Sequence, residues 1–341
     1  MRAASLKADD PIRLAIDFLG GDRAPASVAD AIAEILDEGG PARLVVVGPR
    51  EQVFAELSSR GVDPARVDHA EASHAADMGA DALPSLREHD DLTASVAVGL
   101  IRSGQADGWV SVGHSGAAVA ATALALGRLP GMPLPALAVV LPALAGPVVL
   151  VDSGATLDAG PETLVTFALA GWAYAASLGL ERPRVGLLTI GSEAGKGDRL
   201  RKNAHDLLTS ALDHAGVDYV GPVEGHDVAL GSRADVVVCD GFTGNVLLKG
   251  IEGTVRWSAA RMGEAYGSPT AALDVVTRVA TSDFAGGLLL GVPGVAVIGH
   301  GASTGPEIAA CIRLAERAVR TGVVGRAQEV LATRLSQVGV G

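Results

Sequence analysis

Two glycine-rich segments of the sequence carry side chains that suit an anionic substrate. Lys196 lies between two glycines in the segment 191–198, directly after the apolar run 185–190, and Asn245 follows the apolar run 235–240. A lysine on such a turn can act as a point charge toward an anion, and an asparagine can orient a polar substrate group. Residues 191–197 do not form a Walker motif, because Gly197 stands where serine or threonine is required. A solvated lysine and a helix-capping asparagine are the structural alternatives.

A third turn covers residues 17–25 and contains Gly20, Gly21 and Asp22. Paired glycines permit close backbone approach to a ligand, and a helix that begins after them offers free N–H groups to an anion. The alternative is an ordinary tight turn in which Asp22 caps the helix.

The segment 113–117 places His114, Ser115 and Gly116 between a predicted strand and a predicted helix. With Asp240 and His300 later in the chain, Ser115 has the residue order of a serine hydrolase of the α/β class. The full G-x-S-x-G pattern is absent, so polar donors near a helix start, or a simple cap, are the preferred interpretations. The hydrolase hypothesis requires that the three side chains lie within hydrogen-bonding reach.

His300 and Ser303 follow the last predicted strand. A histidine at a buried strand end can be a structural residue or a catalyst, and the pattern leaves both open. Taken together, the glycine-bearing turns predict a crevice for a small anion such as phosphate and a larger neutral group.

The elements that position these turns alternate between short apolar runs and longer helical patterns, which predicts an α/β fold with a mainly parallel sheet. The predicted strands are 12–17, 43–48, 108–113, 136–141, 148–153, 185–190, 235–240 and 295–300. The predicted helices are 26–38, 51–60, 94–102, 116–126, 161–178, 198–214, 245–264 and 305–320. The polar segment 71–91 is predicted to be a long loop.

Composition excludes several classes of protein. The 341 residues carry a net charge of −12 and only 3% aromatic side chains, which argues against nucleic-acid binding. Cys239 and Cys311 show no metal-ligand spacing and are interpreted as reduced, so no metal site is expected. The longest apolar stretch, 136–151, is interrupted by prolines and is too short to span a membrane. No secretory signal is recognised, and a cytoplasmic location is expected, with weak membrane association at most.

The order of the motifs GGDRAP, GWVSVGHSGA, GRLPGMPLPAL, GSEAGKG, VCDGFTGN and GHGAS resembles the phosphate acyltransferase family of phospholipid synthesis. The resemblance spans about residues 12–325, after a disordered N-terminal extension (1–11) and before a C-terminal helix and tail (326–341). It implies a three-layer α/β/α sandwich related to isocitrate and isopropylmalate dehydrogenases, a homodimer, and no metal or other cofactor. It also implies transfer of a fatty acyl group from acyl carrier protein to inorganic phosphate.

By the same resemblance, Lys196 and Asn245 stand at the catalytic positions of the family. Lys196 would neutralise phosphate or oxyanion charge, and Asn245 would donate a hydrogen bond to the same centre. The residues expected to bind substrate are Gly20, Gly21, Asp22, His114, Ser115, Gly116, Glu193, His300 and Ser303. An acidic carrier protein requires a local basic patch, for which Arg199, Arg201 and Lys202 are the candidates, although an exposed helix start explains them equally well.

The chain departs from the family pattern mainly at polar turns. Residues 86–93 replace an Arg-x-Lys…Ser-Ser stretch, and residues 113–116 read Gly-His-Ser-Gly in place of Gly-Asn-Thr-Gly. The span 251–283 lacks the basic amphipathic character of membrane-docking helices, which argues against docking. The alternatives are therefore a weakly catalytic carrier-protein-binding or regulatory paralogue and a paralogue that acts on another acyl thioester.

Overall fold

Eleven strands and ten α-helices alternate along the part of the chain that the structure describes. This computed structural model describes residues 11–40, 42–76, 89, 91–193, 195–270, 273–274, 276 and 285–338. The chain divides into two compact units, unit 1 (Met1–Leu129 and Ala285–Gly325) and unit 2 (Pro130–Phe284 and Arg326–Gly341).

The strands, in chain order, are β1 (Arg13–Asp17), β2 (Arg43–Val47), β3 (Asp68–Ala70), β4 (Gly108–Ser111), β5 (Ala136–Ala143), β6 (Gly146–Val151), β7 (Val185–Leu188), β8 (Tyr219–Val223), β9 (Val236–Val238), β10 (Gly287–Leu290) and β11 (Val295–Ile298). The helices are α1 (Ala26–Asp37), α2 (Arg50–Ser59), α3 (Thr93–Arg102), α4 (Ser115–Leu126), α5 (Pro161–Ser177), α6 (Arg199–His214), α7 (Gly225–Leu230), α8 (Gly241–Tyr266), α9 (Gly305–Thr321) and α10 (Val323–Val338). A 3₁₀ turn covers Pro64–Arg66.

Unit 1 contains strands in the order β3-β2-β1-β4-β11-β10, and only the β10–β11 pair among its described ladders is antiparallel. The chain leaves β1 toward β2 and β3 and then returns to form β4 on the other side of β1. Such a reversal of strand order opens a crevice beyond the carboxyl ends of the two strands, where α/β folds bind ligands. The turns after β1 and β4 are therefore well placed for function.

Unit 2 has the strand order β5-β6-β9-β7-β8, with β5 and β6 antiparallel and the other described pairs parallel. The chain passes from β7 outward to β8 and comes back to form β9 on the other side of β7. A second reversal of strand order thus lies between β7 and β9, and the segments after these strands contain Lys196 and Asn245.

Burial and capping explain why these segments form their elements. Central strands such as β4, β9 and β11 are buried along their whole length, as the apolar runs predict for strands covered on both faces. Helix α9 begins with a capping box between Thr304 and Glu307 and ends at Gly322 with φ +64°. Helix α5 is buried on nearly all sides, which accounts for its uniformly apolar sequence.

The predicted α/β fold with a mainly parallel sheet is confirmed, and all eight predicted strands and all eight predicted helices are present. Strands β3, β8 and β10 and helix α7 were not predicted, and α8 begins at Gly241, four residues before the predicted start. The predicted N-terminal extension lies outside the described residues except for Pro11, as do most of the predicted loop 71–91 and the end of the span 251–283. No helix among the described residues has the length and apolar character needed to cross a membrane.

Candidate active site

The carboxyl ends of β6, β7 and β9 lie side by side in unit 2, and the turns that follow them form the unit 2 edge. β6 leads to Asp152, β7 leads to the turn that contains Lys196, and β9 leads to Asp240 and helix α8. Parallel pairing of these three strands brings segments that are far apart in sequence to one place.

Asp152 organises the loop after β6. Its buried carboxylate accepts hydrogen bonds from the backbone N–H groups of Leu137 (2.8 Å), Gly154 (2.9 Å), Ala155 (2.9 Å) and Thr156 (2.6 Å). Burial raises the pKa of Asp152, and these hydrogen bonds oppose the rise by stabilising the carboxylate. The loop is therefore held in one conformation by a single side chain.

Glycines let the first turn of α8 pack against this loop. A side chain at Gly244 would collide with the Asp152 carbonyl oxygen, and a Cβ at Gly241 would lie 2.7 Å from the Asp152 carboxylate. The Gly241 N–H donates to the Thr156 carbonyl over 2.9 Å. The low helix propensity of these glycines explains why the sequence pattern placed the start of α8 too late.

Asn245 lies next to Gly154 as a result of this packing. Gly154 has φ +138°, and a Cβ there would lie 3.0 Å from the Asn245 amide nitrogen. Asn245 is exposed and is the fifth residue of α8, so it does not cap the helix, and Asp240 caps it instead. The capping alternative for Asn245 is therefore wrong.

Arg201 connects the turn after β7 to the start of α8. Its guanidinium pairs with the Asp240 carboxylate, donates to the Thr243 hydroxyl over 2.7 Å and pairs with Asp198 at 2.9 Å. Its side chain also packs against Gly197, where a Cβ would lie 2.8 Å from the Arg201 Cβ. The Arg201 side chain is only 12% exposed, so the prediction that it belongs to an open basic patch is wrong. The other two residues predicted for that patch, Arg199 and Lys202, are exposed.

Lys196 and Glu193 both lie over Gly191. A Cβ at Gly191 would be 3.0 Å from the Lys196 Cγ and 3.0 Å from a Glu193 carboxylate oxygen. Lys196 is exposed, and its ammonium forms no ion pair with any residue that the structure describes. Its charge is therefore available to an anion at this edge.

The charge of Asp240 is stabilised by its surroundings. Burial acts to raise its pKa, but hydrogen bonds from Thr243 and the positive charge of Arg201 outweigh burial and lower the pKa below its usual value. Asp240 thus remains ionised and neutralises Arg201, which leaves Lys196 as a separate positive charge.

The unit 1 edge consists of the turns after β1, β4 and β11. At its centre the buried Asp17 accepts hydrogen bonds from the Gly20 N–H (3.0 Å) and the Ser111 hydroxyl (2.7 Å), and Thr93 also contributes one. The Gly113 N–H donates to the Ser111 hydroxyl over 3.0 Å. Burial raises the pKa of Asp17 despite these hydrogen bonds.

The turn that contains Asp22 contacts the turn that contains His300. The Asp22 N–H donates to the Gly301 carbonyl over 2.8 Å, and a Cβ at Gly21 would lie 3.2 Å from the same oxygen. Ser303 is buried in this second turn, and its N–H donates to the His300 carbonyl over 2.9 Å. Pro25, not Asp22, precedes α1 as its cap residue, so the alternative in which Asp22 caps the helix is wrong.

His114 and His300 make similar local hydrogen bonds. The Nδ1 of His114 accepts from the Ala117 N–H (3.1 Å) and caps α4, and the Nδ1 of His300 accepts from the Ala302 N–H (3.2 Å). In each neutral imidazole the proton must then lie on Nε2, which is a hydrogen-bond donor. These two donors suit a polar or anionic substrate group.

The serine hydrolase hypothesis loses its support. Ser115 is exposed at the first position of α4, Gly116 follows it there, and the described residues show no hydrogen bond between Ser115 and His300. The Asp240 carboxylate is engaged by Thr243 and Arg201 and orients no described histidine. Neither edge gathers three histidine, cysteine or carboxylate ligands around one point among the described residues.

Several residues of these edges escaped prediction as site residues. Asp17 and Asp152 end their strands as ordinary-looking polar residues, and Thr93 lies at a helix start far from either. Of these residues, only Arg201 has a recognisable pattern in the nearby sequence. Asp198 stands three residues before it, which is the spacing of a helix N-cap contact and of an ion pair on a helix. Its pairing with Asp240, 39 residues away, has no local signature.

Comparison with known proteins gives consistent results. The sequence pattern of the family described as "Fatty acid synthesis protein" matches residues 12–326. A phosphate acyltransferase of Thermobifida fusca is 41% identical over 329 residues, which cover 91% of this chain and 88% of the relative. A phosphate acyltransferase of Thermus thermophilus is 39% identical over 334 residues, covering 94% of this chain and 98% of the relative.

Solved structures share the fold at low sequence identity. The EutD phosphotransacetylase from Staphylococcus aureus has a TM-score of 0.61 at 15% identity and covers 90% of this chain and 94% of its own. A 4-hydroxythreonine-4-phosphate dehydrogenase from Klebsiella pneumoniae has a TM-score of 0.56 at 15% identity, with 91% of this chain and 100% of its own covered. The predicted likeness of this fold to dehydrogenase-like α/β folds is thereby confirmed.

Proposed function

Because the chain belongs to the fatty acid synthesis protein family and is a phosphate acyltransferase, we propose that it takes its acyl group from acyl carrier protein and that Lys196 and Asn245 at the unit 2 edge carry out the transfer. Transfer of an acyl group to phosphate for phospholipid synthesis follows from the family. We propose, in addition, the identity of the acyl donor, the catalytic residues, the substrate-binding residues and the oligomeric state.

The reaction requires positioning and charge stabilisation more than an enzyme nucleophile. A phosphate oxygen forms a bond to the thioester carbonyl carbon, the carbon–sulfur bond breaks, and the thiolate leaves and takes up a proton. Negative charge develops on the carbonyl oxygen while the dianionic phosphate approaches. A fixed cation and a fixed hydrogen-bond donor at this point lower the barrier most.

The observation that carries the proposal is the linkage between the Lys196 turn and the Asn245 helix. Arg201 packs against Gly197, next to Lys196, and bonds to Asp240 and Thr243 at the start of α8. Because these contacts join the two segments at one sheet edge, Lys196 can neutralise the phosphate or the oxyanion while Asn245 donates a hydrogen bond. Glu193, which lies over Gly191 with Lys196, is proposed to orient the lysine ammonium.

At the unit 1 edge we assign substrate binding to the turns of Gly20, Gly21 and Asp22, of His114, Ser115 and Gly116, and of His300 and Ser303. The Nε2–H groups of His114 and His300 supply donors, and the glycines allow substrate to approach the backbone. These residues are expected to affect KM more than kcat.

Carrier-protein binding is proposed to use Arg199 and Lys202, the exposed members of the basic group at the start of α6. The chain has a net charge of −12, so an acidic carrier protein needs such a local attraction. Charge reversal in the double variant Arg199→Glu/Lys202→Glu should raise KM for acyl carrier protein at least about tenfold and leave KM for phosphate unchanged.

A homodimer is also proposed, and α8 is the candidate interface. This helix exposes Phe242, Val246, Trp257 and Tyr266, with Trp257 66% exposed and Tyr266 80% exposed. At 100° per residue, Phe242, Val246 and Trp257 lie within about 60° of one another around the helix, and exposed apolar side chains on one face mark an association surface. Light scattering after size-exclusion chromatography should give twice the chain mass for the wild type and the monomer mass for Trp257→Glu.

The proposed activity is tested by release of free carrier-protein thiol from a long-chain acyl carrier protein, with and without inorganic phosphate. The wild type should require phosphate, and Lys196→Ala should lose about 100-fold or more in kcat because a transition-state charge is lost. Lys249→Ala is the matched control, since Lys249 is exposed and, among the residues that the structure describes, pairs only with Glu252 on the surface of α8. Phosphate-dependent release with acyl-coenzyme A but not with acyl carrier protein would overturn the donor, and no release with either would favour a carrier-binding paralogue.

A further inference from the structure

Three side chains of types that bind metals lie together in unit 1, and none of them belongs to the glycine-rich turns. The side-chain nitrogens of His74 and His89 and a carboxylate oxygen of Asp91 all lie within 4.8 Å of one another. We propose that His74, His89 and Asp91 bind a divalent transition-metal ion, and that zinc suits this set of two imidazoles and one carboxylate.

The His74–Asp91 pair is close to the spacing of two ligands on one ion. The His74 Nδ1 and an Asp91 carboxylate oxygen are 2.9 Å apart. With metal–ligand bonds of about 2.0–2.2 Å, adjacent ligands of a tetrahedral ion lie roughly 3.3–3.6 Å apart. An ion can therefore replace the shared proton after the two atoms separate by about half an ångström.

The backbone holds these two ligands in place. The Thr93 N–H donates to the His74 carbonyl over 2.9 Å, and the Ser73 N–H donates to the Asp91 carbonyl over 3.3 Å. Leu92, which pairs with His74 in a parallel bridge, is fully buried. Because the two segments are already fixed, binding an ion requires little additional ordering.

His89 supplies the third ligand. Its ring stacks on the ring of His74, with centroids 4.4 Å apart and planes 11° apart. Its ligand nitrogen lies within 4.8 Å of the other two ligand atoms. Because the lone pairs of two parallel rings do not converge on one ion, the exposed His89 side chain has to rotate out of the stack to complete the site. Water would occupy the fourth position, because the cluster faces solvent.

A metal site explains this cluster better than an ordinary group of solvated polar side chains does. A surface His–Asp pair contributes little by itself and gives no reason for a second imidazole to lie within ligand distance of both groups. His226 offers a comparison, because it lies 3.9 Å from a Glu224 oxygen and 3.6 Å from an Asp227 oxygen but has no second histidine beside it among the described residues.

The site adjoins the unit 1 edge without belonging to it. Leu92 is followed by Thr93, whose side chain bonds to Asp17, and Ala76 lines a small cleft together with Asp17 and Gly20. An ion at His74 and Asp91 would therefore stabilise the backbone from which this part of the edge is built.

The test uses the full chain without an affinity tag, freed of metals and held in a phosphate-free buffer. Calorimetric titration with zinc chloride should show one ion bound per chain, and cobalt should give a visible absorption spectrum of a tetrahedral site with nitrogen and oxygen ligands. Zinc should also raise the thermal unfolding midpoint, because it binds only the folded site. His89→Ala and Asp91→Asn should each weaken zinc binding tenfold or more, and His226→Ala should leave it unchanged.

His89→Ala is the decisive variant, since the exposed His89 makes no hydrogen bond among the described residues and its loss will not affect folding. Circular dichroism of the variant confirms its fold. Equal zinc affinity of the wild type and His89→Ala, loss of binding in His226→Ala, or absence of binding to the wild type would each overturn the proposal.

Discussion

The two units end their parallel sheets in turns of similar shape but different electrostatic character. At the unit 1 edge, Asp17 is buried among neutral hydroxyl and amide donors, and His114 and His300 each accept a backbone hydrogen bond within their turns. At the unit 2 edge, Arg201 is paired with Asp240 and Asp198, and Lys196 carries an exposed positive charge. The same strand–turn–helix architecture therefore supports a neutral polar surface in one unit and a fixed charge network in the other.

The carboxylates Asp17 and Asp240 show the difference most clearly. Burial dominates at Asp17 and raises its pKa, because only neutral groups surround it. Burial acts on Asp240 too, but Thr243 and Arg201 outweigh it and lower its pKa. A preorganised cation network is the environment that a reaction between an anion and a developing oxyanion requires. The difference supports the proposal that catalysis occurs at the unit 2 edge.

The largest difference in kinetic effect between the two edges is expected when a hydrogen-bond donor is removed from each of them. Asn245→Asp keeps the shape of the side chain but replaces the amide donor with a negative charge, so kcat should fall about 100-fold or more. Asn245→Ala should lower kcat less than Asn245→Asp does, because alanine removes the amide donor without adding a negative charge. His300→Ala should change KM by less than about tenfold with kcat nearly unchanged, because it removes one binding hydrogen bond. Steady-state kinetics that show the greater kcat loss in His300→Ala would reverse the assignment of the two edges.

A contact within the unit 2 edge can be tested at Gly154. Alanine there strains the backbone at φ +138° and presses on the Asn245 amide, so kcat should fall about tenfold in addition to a loss of stability. Gly179→Ala is the matched control in the same unit, because Gly179 has φ +98° and open space around its Cα. This control should lose about 1 kcal/mol of unfolding free energy from backbone strain and keep its kcat. Equal kcat in Gly154→Ala and Gly179→Ala would show that catalysis does not depend on the position of Asn245 beside Gly154.

The opposite pKa directions of Asp17 and Asp240 predict opposite pH effects on stability. The folded-state pKa of Asp17 is raised above 3.8, so its contribution is present at low pH and is lost as the pH rises through the folded-state pKa. The folded-state pKa of Asp240 is lowered, so its contribution is present above about pH 4 and is lost as the pH falls through the folded-state pKa. Each unit of pKa difference corresponds to about 1.4 kcal/mol.

Thermal unfolding of Asp17→Asn and Asp240→Asn between pH 3 and 7 measures these contributions. Relative to the wild type, Asp17→Asn should gain stability as the pH rises, and Asp240→Asn should lose it. The same sign of pH dependence in both variants would contradict the described difference between the two edges.

The smallest effect is expected at Ser115. Ser115→Ala removes an exposed hydroxyl at the first position of α4, so phosphate-dependent thiol release should stay within about twofold of the wild type. Steady-state kinetics of thiol release check this prediction, and loss of most of kcat, as opposed to a rise in KM, would restore Ser115 as a candidate nucleophile.

Most of the strands could be predicted because a buried strand in a parallel sheet is a run of apolar residues. Two of the three strands that were missed lack this signal. β3 has only three residues and is partly exposed, and β8 contains Gly221 and Pro222. These segments are strands because a neighbouring strand pairs with them, and pairing depends on the rest of the fold.

The sequence predicted individual residues of the candidate site but not the contacts between them. The glycine-rich turns, Lys196 and Asn245 could be singled out from residue types that suit an anion and from resemblance to the family. Arg201 was assigned to the carrier-protein patch, because nothing in its neighbourhood indicates Asp240 as its partner. The roles of Asp17 and Asp152 were missed for a similar reason, since a carboxylate that binds several backbone N–H groups is recognised only when the loop conformation is known.

The amino-acid sequence was enough to derive the class of fold, the family and the chemical types available at the turns, because apolar periodicity and motif order are local properties of the chain. Three-dimensional packing was needed to learn which turns share an edge, that the edges differ in charge, and that His74, His89 and Asp91 meet. These features depend on packing because hydrogen bonds, ion pairs and burial act between groups within a few ångströms. Strand order brings together groups that lie tens of residues apart, and that order is a property of the whole fold.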